Sequence, residues 1–166
     1  MKTKIADLVN NKKRQETIIK HDFDQIADNN EIIVGKTKRV IDVLKAYDIL
    51  KKDQAELIKL KLATQAYNLG VSLAALPKDN IATVIYELSA LKELKNFLTG
   101  KRLKRRHGKL TNGSGGVDRY ESILNDYWIH KEIESLDKKI EEKENKLTEL
   151  NRVEVDVDFT MLDLPF

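Results

Sequence analysis

Apolar residues recur along this chain at two different periods, and the change of period divides it. Between residues 118 and 151 they fall at Ile123, Tyr127, Ile129, Ile133, Leu136, Ile140, Leu147 and Leu150, with no proline or glycine among them. From Ile133 onward the steps are three, four, seven and three, an a/d seam with one polar interruption at Lys143. The spacing predicts a single amphipathic helix over 118–151, roughly 50 Å long at ~1.5 Å per residue. Such a rod cannot bury its stripe alone, so other helices or a second copy of the chain must cover it.

The upstream segments carry the same helical period in shorter pieces. Ile5, Leu8, Val9, Ile18, Ile19, Phe23 and Ile26 share a face, so residues 3–27 read as a helix. Thr3 is its candidate cap, and the polar stretch 10–15 predicts a break in the middle. Asp28, Asn29 and Asn30 read as a stop, and Glu31 to Val34 as a brief strand or a turn closed by Gly35. Residues 36–69 are predicted as a second long helix on Val40, Ile41, Leu44, Tyr47, Leu50, Leu57, Ile58 and Leu62, ended by Gly70. An apolar connector over 71–76 stops at Pro77, which disfavours helical geometry at Leu76. Asp79 is then the predicted cap of a third helix to about Thr99, with Ile81, Val84, Ile85, Leu88, Leu91, Leu94 and Leu98 on its face. In the tail the period changes to two: Val153, Val155, Val157, Phe159 and Met161 alternate with Glu154, Asp156, Asp158 and Thr160, a strand signature.

The expected fold is therefore mainly α, an elongated antiparallel helical bundle or coiled-coil hairpin with a short β element at the C-terminus. The chain divides into a helical bundle (1–100), a basic and Gly-rich loop (101–116), a long amphipathic helix (117–151) and an acidic β-like tail with an apolar end (152–166). A lone strand leaves its backbone groups unpaired, so the tail strand needs a partner: residues 31–34, or the same strand of another copy in a homo-oligomer.

Composition narrows the function. Charged residues are 34% of the chain and aromatics 6%, with no cysteine, which excludes disulfides and thiolate chemistry. No apolar run is long enough to span a membrane, and the N-terminal residues lack the apolar core of a signal peptide, so a cytoplasmic protein is expected. No catalytic residues, cofactor or metal site are expected. His130 and Glu134 stand one helical turn apart, but a metal needs further ligands that no motif supplies. Gly35-Lys36-Thr37 copies the end of a phosphate loop without its upstream glycine, where Asn30 stands.

Two stretches carry binding chemistry. Lys101, Arg102, Lys104, Arg105, Arg106 and Lys109 are six cations in nine residues, next to glycines 113, 115 and 116 that read as a flexible hinge. Such a run can neutralise phosphates, which makes nucleic acid a candidate partner. It can equally form the solvated end of a helix, where cations suit the C-terminal dipole, or pair with the acidic tail.

The C-terminal residues Leu162-Asp163-Leu164-Pro165-Phe166 resemble the short peptide by which bacterial replication and repair proteins dock on the DNA sliding clamp. Met161 stands where that peptide has glutamine, so the amide hydrogen bonds are lost, while Leu162, Leu164 and Phe166 remain as anchors at alternate positions. More broadly, Leu88-Ser-Ala-Leu-Lys-Glu-Leu-Lys, Val117-Asp-Arg-Tyr120 and the heptads from Leu136 to Asn151 are similar to stretches of septicolysin-like helical proteins of bacteria and phages. That resemblance implies a helical protein and assigns no activity to particular residues. The expectation is a non-enzymatic adaptor or inhibitor, phage- or mobile-element-encoded, that binds an unidentified protein or the sliding clamp. The alternative is a nucleic-acid-binding accessory protein.

Overall fold

A computed structural model describes residues 4–77 and 80–152. They form helices α1 (Ile5–Asn30), α2 (Val43–Asn68), α3 (Ile81–Thr99) and α4 (Asp126–Asn151) with strands β1 (Glu31–Ile33), β2 (Gly108–Thr111) and β3 (Val117–Ser122). The fold is mainly helical, with one small antiparallel sheet in the order β1-β3-β2.

α1 runs unbroken through the polar stretch where the sequence predicts a break, and on through Asn30. Lys12 and Gln15 occupy half-buried seam positions there, so the helical stripe continues through polar residues. Gln15 Nε2 donates to Asp53 Oδ1 on α2 at 2.9 Å, which gives the polar seam residue a partner across the helix pair.

α2 begins at Val43, not Lys36. Asp42 is its cap, accepting from Lys45 N at 3.1 Å. The preceding residues are held extended instead: Val40 N donates to Asn29 Oδ1 and Arg39 donates to the Glu121 carbonyl. Gly70 sits past the end of α2 with φ +66°, as predicted for a residue that must turn left-handed. The predicted cap Asp79 lies outside the described residues, and Asn80 caps α3, accepting from Thr83 N at 2.8 Å. Thr3 also lies outside them.

The stretch 118–151 is not one helix. Residues 117–122 form β3, and α4 starts only after Asn125, whose side chain accepts from Trp128 N at 3.0 Å. The rod that remains spans 26 residues, about 39 Å at ~1.5 Å per residue. The 113–116 hinge is a built turn between β2 and β3. Asn112 Oδ1 accepts from Ser114 N and Gly116 N, and its Nδ2 donates to Asp118 at 3.1 Å. Gly115 takes the left-handed φ of +84° that this turn requires.

α1 packs on α2, α2 on α3 and α3 on α4. Lys95 meets Asp137 and Lys92 meets Glu144, so α3 and α4 run in opposite directions. Lys61 over Tyr86 and Gln54 with Glu93 set the same relation for α2 and α3, while α1 meets α2 at Gln15 and Asp53 and runs directly into β1 at its end. All four helices therefore bring one end to the sheet: the ends of α1 and α3, and the starts of α2 and α4. The main core lies toward that end, with Phe23, Ile26, Val43, Tyr47, Leu50, Leu98, Leu124 and Leu136 buried in it. A second, smaller cluster of Val84, Leu88 and Ile140 lies toward the other end, where Leu147 and Leu150 pack on it.

At the sheet end one polar side chain is fully buried. Asn30 Oδ1 accepts from Leu124 N at 2.7 Å, and its Nδ2 donates to the Lys104 carbonyl at 2.8 Å and the Leu124 carbonyl at 3.2 Å. Its own carbonyl accepts from Ile123 N at 3.2 Å. Removing the amide strands buried partners, so Asn30→Ala is expected to cost about 2–4 kcal/mol in urea unfolding, helix content being retained in water.

Between α1 and α2, Asp22 lies half-buried, with a buried Oδ2 that has no hydrogen-bond partner and the Asp53 carboxylate close enough to repel its charge. Burial, then the Asp53 carboxylate, pushes the Asp22 carboxyl up to about 6, against a smaller opposing pull from His21. The folded state thus holds a proton that an unfolded carboxyl releases near pH 4, and this contribution to stability is lost as pH rises through about 6. Asp22→Asn is expected to remove that component of the pH dependence between 4 and 6 and to raise Tm at pH 7, read by thermal melts across the range.

Candidate interaction surfaces

The basic run does not form a helix end. It follows α3 as an irregular crossing into β2, and its arginines are spent on carboxylates from three other elements. Arg102 pairs with Asp24 of α1, and Arg105 Nε lies 3.4 Å from Asp126 Oδ1 at the start of α4. Arg106 NH2 lies 2.7 Å from Glu31 Oε1 of β1 and its backbone N donates to the same carboxylate at 2.8 Å. The Arg106 guanidinium also stacks 4.1 Å from the Tyr120 ring centroid, and its pKa is raised, chiefly by the Glu31 hydrogen bonds. Within the run, Lys101, Lys104 and Lys109 are exposed and form no ion pair with a described residue.

Lys36, from the phosphate-loop fragment, is likewise engaged. Its Nζ lies 2.6 Å from Asp118 Oδ1, a contact that raises the lysine and holds the Asp118 carboxyl below the usual carboxylate range. Thr37 Oγ accepts from Ile33 N at 2.7 Å, closing the turn around Gly35, whose φ is +81°. These residues build a strand-to-coil turn and leave no cradle of free backbone donors for a phosphate.

His130 Nε2 lies 3.3 Å from Glu134 Oε1, with both side chains largely exposed. Among the described residues no third His, Cys, Asp or Glu joins them to complete a metal-binding group. Tyr47 is buried: that burial, and then the Glu132 carboxylate that accepts from its hydroxyl at 3.1 Å, raise it far above an ordinary tyrosine. The Trp128 ring meets the Tyr47 ring edge-on at 5.2 Å, so this group is a packed α2–α4 contact. Among the described residues no helix is long and apolar enough to cross a membrane.

One exposed apolar surface lies at the end away from the sheet; Val40, Val117 and Tyr127, nearer the sheet, are exposed as well. Residues 67–75 are exposed without interruption, and they include Tyr67, Leu69, Val71 and Leu73, with Leu69 at 61% and Tyr67 at 51% exposure. A single 3-10 turn, Leu73–Ala75, folds this connector back against α2. Ile81 and Ile85 on the first turns of α3 are exposed as well. Scattered exposed apolar residues are ordinary, but this many large ones in and beside one connector form a patch. The sequence marks 71–76 as apolar, but not as exposed, because a hydrophobic connector reads the same whether it is covered or bare.

The C-terminal candidates Met161, Leu162, Leu164 and Phe166, and the predicted strand that precedes them, lie outside the described residues. One proposed strand partner, Glu31–Ile33, pairs with β3, Glu31 opposite Ser122 and Ile33 opposite Tyr120. No family model, no curated protein and no solved structure matches the chain.

Proposed function

We propose that this chain is a non-enzymatic protein-binding adaptor or inhibitor, of the kind small phages and mobile elements encode. It engages its partner through the exposed apolar end of its helices or through its C-terminal residues. The observation that carries the reading is the uninterrupted exposure of residues 67–75, flanked by Ile81 and Ile85. Large side chains bared in one place are what a partner's apolar anchors fill, and binding energy concentrates in such a few residues. The scaffold is an elongated antiparallel bundle that works as a homo-oligomer in the cytoplasm, and the sliding clamp is one candidate for the partner of Leu162, Leu164 and Phe166.

A second reading, nucleic-acid binding through 101–109, is favoured by Lys101, Lys104 and Lys109, which are exposed and form no ion pair with a described residue. It is the weaker one, because Arg102, Arg105 and Arg106 already have carboxylate partners within the chain. Counterion release from the remaining lysines gives a shallow salt slope, about −0.9 for each phosphate neutralised.

The two readings separate on a pair of variants. Leu69→Glu with Leu73→Glu is expected to release a partner that co-purifies with the wild type, with the helical circular-dichroism signal unchanged. Lys101→Gln, Lys104→Gln and Lys109→Gln together are expected to leave that partner bound. The opposite pattern, with duplex-DNA affinity that falls with salt and disappears in the lysine variant, would replace the adaptor reading by the nucleic-acid one.

A further inference from the structure

We propose that the bare apolar end is the docking site of the chain's own C-terminal segment, residues 153–161, folded back in cis. This deepens the adaptor reading by giving its surface a built-in cover, and it rests on that reading only for the cover's purpose, not for the contact itself.

The argument starts from where α4 delivers the chain. Leu147 and Leu150 pack on the cluster of Val84 and Leu88, and Lys143 pairs with Glu87, so the last turns of α4 lie beside the first turns of α3. Arg152 closes α4, its backbone N donating to the Glu149 carbonyl at 3.1 Å. α4 therefore ends, at Arg152, at the end of the molecule that carries Ile81, Ile85 and the 67–75 connector. Nine residues in extended form reach about 30 Å at ~3.3 Å each, enough to cross that end of the helices.

The chemistry of the segment matches. In extended geometry Val153, Val155, Val157, Phe159 and Met161 line one side, and Glu154, Asp156, Asp158 and Thr160 the other. Laid over Leu69, Val71, Leu73 and Ile81, the apolar side leaves water and the acidic side stays in it. No other stretch of the sequence offers strict alternation of this length. Docking on the sheet at the opposite end is excluded in cis by length: α4 alone carries the chain about 39 Å away from it at ~1.5 Å per residue.

The contact is read by paired cysteines, which the sequence permits because it has none of its own. Leu73→Cys with Val157→Cys should crosslink within one chain, through a short bismaleimide, several-fold faster than the control pair Asn112→Cys with Val157→Cys, whose first member lies in the β2–β3 turn. In parallel, a chain ending at Arg152 should bind a hydrophobic dye more strongly than the full chain, and a synthetic 153–166 peptide added back should reverse the gain. Crosslinks only between chains would assign the surface to a second copy and overturn the proposal. So would equal rates for the two pairs, or unchanged dye binding on truncation. Loss of the co-purifying partner has no bearing on any of these readouts, so the adaptor reading and the cover fail separately.

Discussion

Asn30 ties together pieces of chain that are far apart in sequence. It ends α1, and its side-chain amide closes hydrogen bonds to Lys104, in the crossing after α3, and to Leu124, between β3 and α4. These backbone groups lie where no helix or strand ladder can satisfy them, because each falls in a connection between elements. A carboxamide, with donor and acceptor on one planar group, meets the Leu124 N–H and two carbonyls at once. Beside it, Arg106 on Glu31 and Arg39 on the Glu121 carbonyl add charged groups to the same end. The result is a molecule whose sheet end joins the main apolar core to a network of directional bonds, while the other end holds a smaller apolar cluster flanked by the Lys92–Glu144 and Lys143–Glu87 pairs.

That asymmetry explains what the basic run does. In a chain of mixed charge, a dense cationic stretch invites a reading as an external binding surface. Here the guanidinium groups reach α1, β1 and α4, and Arg106 does so with three bonds to one carboxylate and a ring beneath it. Arginine suits this because its planar fork bonds a carboxylate and stacks at the same time. Lys104, between Arg102 and Arg105 in sequence, is exposed.

The four helical regions were legible in the sequence, since their apolar residues recur at three and four. Their limits were legible only where a chemical signal was strong, as at Gly70. Asp42 and Asn125 are effective caps, yet each stands inside a stretch whose apolar spacing continues across it, so periodicity overran the true start of α2 and α4. The sheet was the larger miss. The inward positions of β3 are Asp118, Tyr120 and Ser122, two of them polar, and they are stabilised by Lys36, Asn112 and the Arg106 carbonyl. A strand that buries hydrogen-bonded polar groups shows no alternation of hydrophobicity. Gly113 to Gly116 likewise read as a loose hinge because a turn organised by one asparagine has the same composition as a linker. Of the candidate surfaces, the cationic run is visible in the sequence, but the carboxylates that its arginines meet lie tens of positions away and follow only from the fold.

The wide sequence separation between Asn30 and Leu124 sets the order in which the molecule can be completed during synthesis. α1 and α2 are neighbours in the chain and can pair as soon as both have left the ribosome. The amide that ends α1 must then wait, still hydrated, through the whole of α3 before the Lys104 carbonyl arrives, and through the hairpin as well before Leu124 supplies its donor and second acceptor. The nascent chain thus carries an early helical hairpin whose final locking is deferred until the start of α4 emerges.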